Sequence, residues 1–288
     1  MLRLRKAPLN LPEKAIEVLE QDGGVIITGL ASPEQLQQVY QDTRQGWKAR
    51  YNGRMHAGLL FGRSATAREQ WCLNPDLLRI VNHFLRTTNP ADVDSQSTSG
   101  RSTDAMLSQA ASITILEGGK AQPLHRDDAI WQKAHTSQEQ TGYRLGSDLG
   151  IGMLVAAVDT TYANGATLVV PGSHLWGDAR TAQEHEVATA ELSRGEALLF
   201  LTSTLHAGGA NTTPDPRTMY AIFYCRSWVR PEANDFACYT REEVESWSLE
   251  AQKLAGYVTD KMLGICDDGD ALDALRRGAA QRWQDWLV

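Results

Sequence analysis

Apolar positions in the first ninety residues follow a mostly helical spacing around one short β-rich run. Glu13–Gln21 has that spacing, and Gly23-Gly24 then breaks into Val25-Ile26-Ile27-Thr28. Ser32-Pro33-Glu34 reads as an N-cap with proline at the first helical position, opening a helix toward Arg50. A further helix is predicted from Arg68 to Leu85, interrupted near Asn74-Pro75. Asp92–Thr103 is rich in Ser, Thr and Asp and reads as a surface loop. The pattern then turns to strands: Met106–Leu116, Leu149–Val158, Thr167–Val170, Ala197–Leu201 and Thr218–Trp228. In the second of these, Leu149, Ile151, Met153 and Val155 alternate with Gly150, Gly152, Leu154 and Ala156. That is period two with both faces largely apolar, as in a strand packed on both sides. Beyond Pro231 the spacing is helical again, with a cap at Thr240-Arg241-Glu242-Glu243 and a Trp-containing tail to Val288. No linker separates these blocks. The expectation is one domain over residues 1–288, with a sandwich or jelly-roll core at about 105–230 buttressed by helices from both ends.

Composition narrows the function classes. With 42% apolar and 22% charged residues in 288, the chain can bury its own core. Its 28 Lys+Arg against 35 Asp+Glu leave a net charge of −7, a poor match to a nucleic-acid backbone. No apolar run is long enough for a membrane helix. The basic N-terminal stretch MLRLRKAPLN lacks the apolar segment of a signal peptide. Cys72, Cys225, Cys238 and Cys266 form no CxxC pair, so a reduced, cytoplasmic protein is expected.

The chemistry-bearing stretch is Gln122-Pro123-Leu124-His125-Arg126-Asp127-Asp128. On a strand, residues i and i+2 share a face, so His125 and Asp127 converge with Arg126 turned away. The best third ligand is His206, after the apolar strand Ala197–Leu201 where the chain changes direction. Two histidines and one carboxylate make the facial triad of non-haem Fe(II) sites, which leaves coordination positions open. Arg217 lies eleven residues after His206, placed to point into a barrel mouth and grip a carboxylate. Each feature alone has a plainer reading. HxD is also a surface pair, Arg217 a strand-edge ion pair, and Asn164-Gly165 and Pro171-Gly172 simple turns. His174 is read as structural because the triad is complete without it. His56, His83, His135 and His185 lack partnered spacing and are read as surface or satisfied core residues.

Together, His125-x-Asp127, the remote His206 and Arg217 resemble the Fe(II)/2-oxoglutarate-dependent oxygenases. More narrowly, the chain resembles the phytanoyl-CoA dioxygenase family and its fungal-type members in natural-product biosynthesis. Gln122 stands three residues before the first ligand, as in that family's QxxHxD. Asn164-Gly165-Ala166-Thr167 through Pro171-Gly172-Ser173-His174-Leu175-Trp176 is similar to its NGAT…PGSHxW signature. Ser193-Arg194-Gly195-Glu196-Ala197-Leu198-Leu199-Phe200 is similar to the strand leading to the distal histidine, and the likeness spans about residues 20–230.

The resemblance implies a double-stranded β-helix, cupin-like and mainly β, with flanking helices. It implies Fe(II) on His125, Asp127 and His206, with Arg217 on the distal carboxylate of 2-oxoglutarate. Gln122 and Thr167 would hydrogen-bond that co-substrate, and Arg63 is the candidate for a further arginine from the N-terminal part. Asp128, Trp131, Tyr224 and Trp228 are candidates to line the substrate pocket, with core packing the alternative for the three aromatics. The Asp92–Thr103 loop and the helical tail are candidate lids. The implied reaction consumes O₂ and 2-oxoglutarate and oxidises a C–H bond of a terpenoid, alkaloid or polyketide by hydroxylation, desaturation, rearrangement or endoperoxidation. Relatives are often homodimers, so a homodimer is a further expectation. Two rivals stay open. One is a zinc or manganese hydrolase or isomerase on the same scaffold, which has no need of Arg217, Gln122 and Thr167. The other is an acyl-CoA hydroxylase, for which no basic segment offers a phosphate site.

Overall fold

The computed structural model describes residues 2–50, 52–88 and 102–258. Residues 92–101 of the expected surface loop and the tail beyond Val258 lie outside these. The strands run β1 (Lys6–Pro8), β2 (Gly24–Thr28), β3 (Lys48–Ala49), β4 (Arg54–Gly58), β5 (Thr87–Thr88), β6 (Ser102–Thr103) and β7 (Met106–Ile115). They continue with β8 (Gly150–Ala156), β9 (Thr167–Val169), β10 (Ala188–Ala190), β11 (Ala197–Leu201), β12 (His206–Gly208) and β13 (Arg217–Cys225). The helices are α1 (Pro12–Asp22), α2 (Pro33–Thr43), α3 (Leu60–Arg63), α4 (Pro75–Leu85), α5 (Asp235–Cys238), α6 (Arg241–Glu245) and α7 (Leu249–Leu254).

Among the described residues, a large sheet has the order β1-β2-β11-β8-β13-β7-β4-β3 and faces a smaller one, β10-β9-β12. This two-sheet β core with helices against one side is the expected jelly roll. Side-chain parity divides the large sheet. Val25, Ile27, Ile151, Met153, Val155, Leu199, Leu201, Tyr220, Ile222 and Tyr224 point outward into a core shared with α1, α2, α4 and α7. Ile26, Ala156, Leu198, Phe200 and Met219 point inward to meet Val169, Ala188 and Ala190 of the small sheet. Both faces of the central strands are therefore buried, which explains their unbroken apolar runs.

The helix signals translate into geometry. Ser32 and Gln35 form a capping box, with Gln35 N–H donating to Ser32 Oγ (3.2 Å) and Ser32 N–H donating to Gln35 Oε1 (2.8 Å). Asn74 caps α4, which begins at Pro75 and follows a π-helical turn over Thr66–Cys72. The buried Arg226 closes the far end of α4 by donating to the carbonyls of Phe84 (2.8 Å) and Leu85 (3.3 Å). The first ninety residues are less helical than their spacing suggests. β1, β3 and β4 join the edges of the large sheet, and α2 stops at Thr43, well short of Arg50.

Candidate metal centre

His125 and His206 face each other across an antiparallel bridge between the two chain segments. Each backbone N–H donates to the other residue's carbonyl, both at 2.9 Å. His206 starts β12, whereas the segment of His125 belongs to no longer strand, and Asp127 opens a 3₁₀ turn that runs to Trp131. The strand expected through HxD is thus reduced to this one bridge. Convergence comes instead from the bridge and from Asp127 N–H donating to Thr202 O (3.0 Å). The Nε2 of His125 lies 3.5 Å from Asp127 Oδ1, and the Nε2 of His206 lies 3.4 Å from Oδ2. One donor atom from each of the three residues falls within a 4.8 Å cluster.

The donors suit a metal. The Nδ1 of His125 faces Pro123 O (2.9 Å) and that of His206 faces Thr204 O (3.1 Å). Each Nδ1–H donates to its carbonyl, which fixes the tautomer and leaves the Nε2 lone pair aimed at the centre. Burial holds the His206 imidazole below its ordinary range, keeping it neutral and able to coordinate. The hydrogen bond with Asp127 raises His125. Asp127 Oδ2 is buried and has no hydrogen-bond partner among the described residues. A buried carboxylate oxygen in that state is costly unless a cation meets it.

Two arginines stand on the same interior side of the large sheet. Arg217 on β13 and Arg54 on β4 are both in register with Ile115 on β7, one on each side of it. Register partners share a face, so both guanidinium groups enter the interior, and both residues are buried. Arg217 Nη2 donates to Gly165 O, while its Nε is buried with no hydrogen-bond partner among the described residues. Burial first, and the like charge of Arg54 second, bring the Arg217 pKa down to about 10. Gly208 lies between this pair and the metal. A Cβ there would sit 3.1 Å from Arg54 Nη2 and 2.8 Å from Gln122 Oε1, so glycine permits both approaches. Gln122 Oε1 accepts from Gly208 N–H (2.8 Å), and Thr167 on β9 is the register partner of Gly208. Gln122, Thr167 and Arg54 therefore gather around one glycine two residues from His206, about 7 Å along the strand, with Arg217 across Ile115 from Arg54.

Arg126, between the two ligands, ties the centre to the Pro171–Trp176 signature. It donates from Nε to Ser203 O (2.7 Å), from Nη2 to Ser173 O (3.0 Å) and Trp176 O (3.1 Å), and from Nη1 to Asp178 (3.0 Å). Asp178 also binds His135, whose Nε2 lies 3.0 Å from Asp128 Oδ2. His135 is thus a satisfied residue inside an ionic network. His174 is buried against the chain near Gly23, its Nε2 bonded to Glu20 O (3.1 Å).

Four expected site residues are placed otherwise. Arg63 is exposed on α3 with its Nε donating to Gly58 O (3.0 Å) and its guanidinium against Gly46. Arg54, not singled out in the sequence, is the arginine of the N-terminal part that lies beside Gly208. Asp128 is fully buried on His135 instead of lining a pocket. Tyr224 is seven residues from Arg217, an odd spacing that turns it to the helix face, where its hydroxyl donates to Cys72 O (3.1 Å). Trp228 is exposed and lines a cavity of about 940 Å³ with Leu73, Leu78, Phe236 and Leu254, which no metal ligand lines. Trp131 is half-buried beside the centre, its Nε1–H donating to Arg230 O (2.8 Å). Arg54 left little trace in the sequence, because Arg54–Gly58 is too short and polar to read as a strand.

Comparison with known proteins adds three findings. A sequence profile described as "Phytanoyl-CoA dioxygenase (PhyH)" matches residues 19–219. The chain is 31% identical to "Dioxygenase swnH1" of Metarhizium robertsii over 94% of this chain and 92% of that one, and 29% identical to "Dioxygenase cnsJ" of Penicillium expansum over 94% and 84%. Its fold is similar to the epimerase SnoN, solved with Fe³⁺, α-ketoglutarate and nogalamycin RO, with a TM-score of 0.55 and 18% identity over 79% of this chain and 89% of that one. HygX of Streptomyces hygroscopicus, with nickel and 2-oxoglutarate bound, is similar at a TM-score of 0.56 and 13% identity, over 76% and 88%.

Proposed function

We propose, from the premise that this chain belongs to the phytanoyl-CoA dioxygenase family, that it is an Fe(II)/2-oxoglutarate-dependent dioxygenase. It oxidises a C–H bond of a bulky natural product such as a terpenoid, alkaloid or polyketide. One observation carries the reading. A His-Asp-His cluster and a buried arginine pair both face the interior between the two sheets, with Gly208, two residues from His206, next to Arg54. A zinc hydrolase has use for the first group but none for the second.

His125, Asp127 and His206 would hold the iron through Nε2, a carboxylate oxygen and Nε2. Fe(II), when bound with 2-oxoglutarate, supplies O₂ activation coupled to formation of succinate and CO₂. The remaining work belongs to the chain. Arg217 and Arg54 hold the distal carboxylate of the co-substrate, which offsets their mutual repulsion. Gln122, its Oε1 already pinned by Gly208, turns its amide nitrogen toward the co-substrate, and Thr167 borders the same space. Phe200 and the small sheet keep the ligand side of His206 dry, its ring 4.5 Å from that of Phe200. The described residues hold no helix long and apolar enough to cross a membrane. The cytoplasm is the proposed compartment and a homodimer the proposed assembly, the latter read by light scattering.

Anaerobic titration with Fe(II) and 2-oxoglutarate should produce the metal-to-ligand charge-transfer band of a chelated keto acid, and O₂ should then release succinate. His206→Ala should abolish both. An absent band, or one that His206→Ala leaves unchanged, would overturn the reading.

A further inference from the structure

At the level of the metal, the large sheet presents one row of inward side chains. Phe200 on β11, Gly152 on β8, Phe223 on β13 and Gln109 on β7 are in register across four neighbouring strands. Phe200 stacks at one end of the row against His206 and meets Phe223 edge-on with ring centroids 6.3 Å apart. Gln109, at the other end, donates from Nε2 to Glu232 Oε1 (2.9 Å).

Glu232 is fixed in place by the segment that carries it. Its own N–H donates to Ser108 Oγ (3.1 Å), and the N–H of Ala233 donates to Ser108 O (2.9 Å). Two residues before it, Arg230 O accepts the indole N–H of Trp131, the residue that ends the turn begun by Asp127. Residues 230–233 are thus fastened to the sheet on one side and to the ligand turn on the other. Glu232 is exposed as a residue, yet partial burial of its carboxyl, and after it the like charge of Asp127, holds it above its ordinary range. The amide of Gln109 is neutral and adds no charge to offset that of Glu232.

We propose that Glu232 selects a cationic substrate, a protonated amine whose hydrocarbon body lies against Phe223, itself backed by the buried Phe200, and whose ammonium meets the Glu232 carboxylate. The inference rests on the oxygenase reading of the same site and names the class of its prime substrate. An alcohol could also donate to Glu232. An ammonium does so with a charge-assisted bond and also neutralises a partly desolvated anion.

The test uses aminomethylcyclohexane and its neutral isostere cyclohexylmethanol as probes, titrated calorimetrically into protein held anaerobically with Fe(II) and 2-oxoglutarate. The wild type should bind the amine at least tenfold more tightly than the alcohol. Glu232→Gln should erase that preference by weakening the amine alone, and Glu232→Lys should prefer cyclohexylacetate to both. Equal amine affinity in wild type and E232Q, or alcohol preferred by both, overturns the proposal. The charge-transfer band is recorded on the same samples. A missing band with an intact Glu232-dependent amine preference would sink the oxygenase reading and still support the role of Glu232.

Discussion

Arg217 and Arg54 show how a residue's meaning depends on its register. Arg217 was legible because it follows His206 at a telling interval in front of an apolar strand. Arg54 was not, because its inward direction exists only once β4 pairs with β7 and places it across Ile115 from Arg217. Arg63 fits the same description in words, an arginine from the N-terminal part, yet it is spent on Gly58 O. The pair makes a sharp prediction. A hydrogen bond to a charged group contributes about 1.5–3 kcal/mol, so Arg217→Ala or Arg54→Ala should each raise the 2-oxoglutarate requirement about 10- to 100-fold. Fe(II) binding, followed by equilibrium dialysis without co-substrate, should stay near wild type in both. Arg63→Ala should change neither. Loss of iron binding in step with co-substrate binding would make the arginines structural instead.

Elements that are apolar on both faces were read well, and elements defined by their partners were not. Ala197–Leu201 has the bounds the sequence predicts, and the strand around Leu149–Val158 is trimmed only at its ends. Such runs must be buried whatever surrounds them. Ala188–Ala190 and His206–Gly208 are strands because β9 offers them a ladder, and three residues of Ala, Thr, Gly or His carry no pattern of their own. The capping signals at Ser32 and Thr240 were legible for the opposite reason, since a cap is satisfied within four residues. Parity could have moved Tyr224 out of the pocket from the outset, and the same parity explains Gly152. That glycine points inward, where a Cβ would lie 2.4 Å from Phe200 Cζ and 2.8 Å from Phe223 Cε1. Gly152→Ala should therefore destabilise the protein by about 1–3 kcal/mol through overpacking, read as a lower denaturation midpoint. Unchanged stability would mean that the two rings have room to retreat, and the row under the metal would not be tightly built.

The whole molecule carries a net charge of −7 and keeps two guanidinium groups inside it. Acidity of the surface and cationic character of the cavity are separate properties, because buried charges act at short range and surface charges are screened within about 8–10 Å at ordinary ionic strength. In the free protein burial and the like charge of Arg54 both oppose the charge of Arg217. A ligand that binds the folded chain alone stabilises it by about 2.7 kcal/mol at a hundred times its Kd. For a protein of this size that corresponds to a rise in Tm of roughly 4–5 °C. Anaerobic thermal scans with Fe(II) should therefore show a further rise on adding 2-oxoglutarate. Because the two arginines of the proposed carboxylate site are buried, the increment should survive 0.5 M salt, whereas recognition by exposed lysines would fade. Removing either arginine should cut the 2-oxoglutarate increment to about half or less and leave the Fe(II) increment in place. A co-substrate shift that disappears with salt in the wild type would show that the dianion is held at the surface and not by the arginine pair.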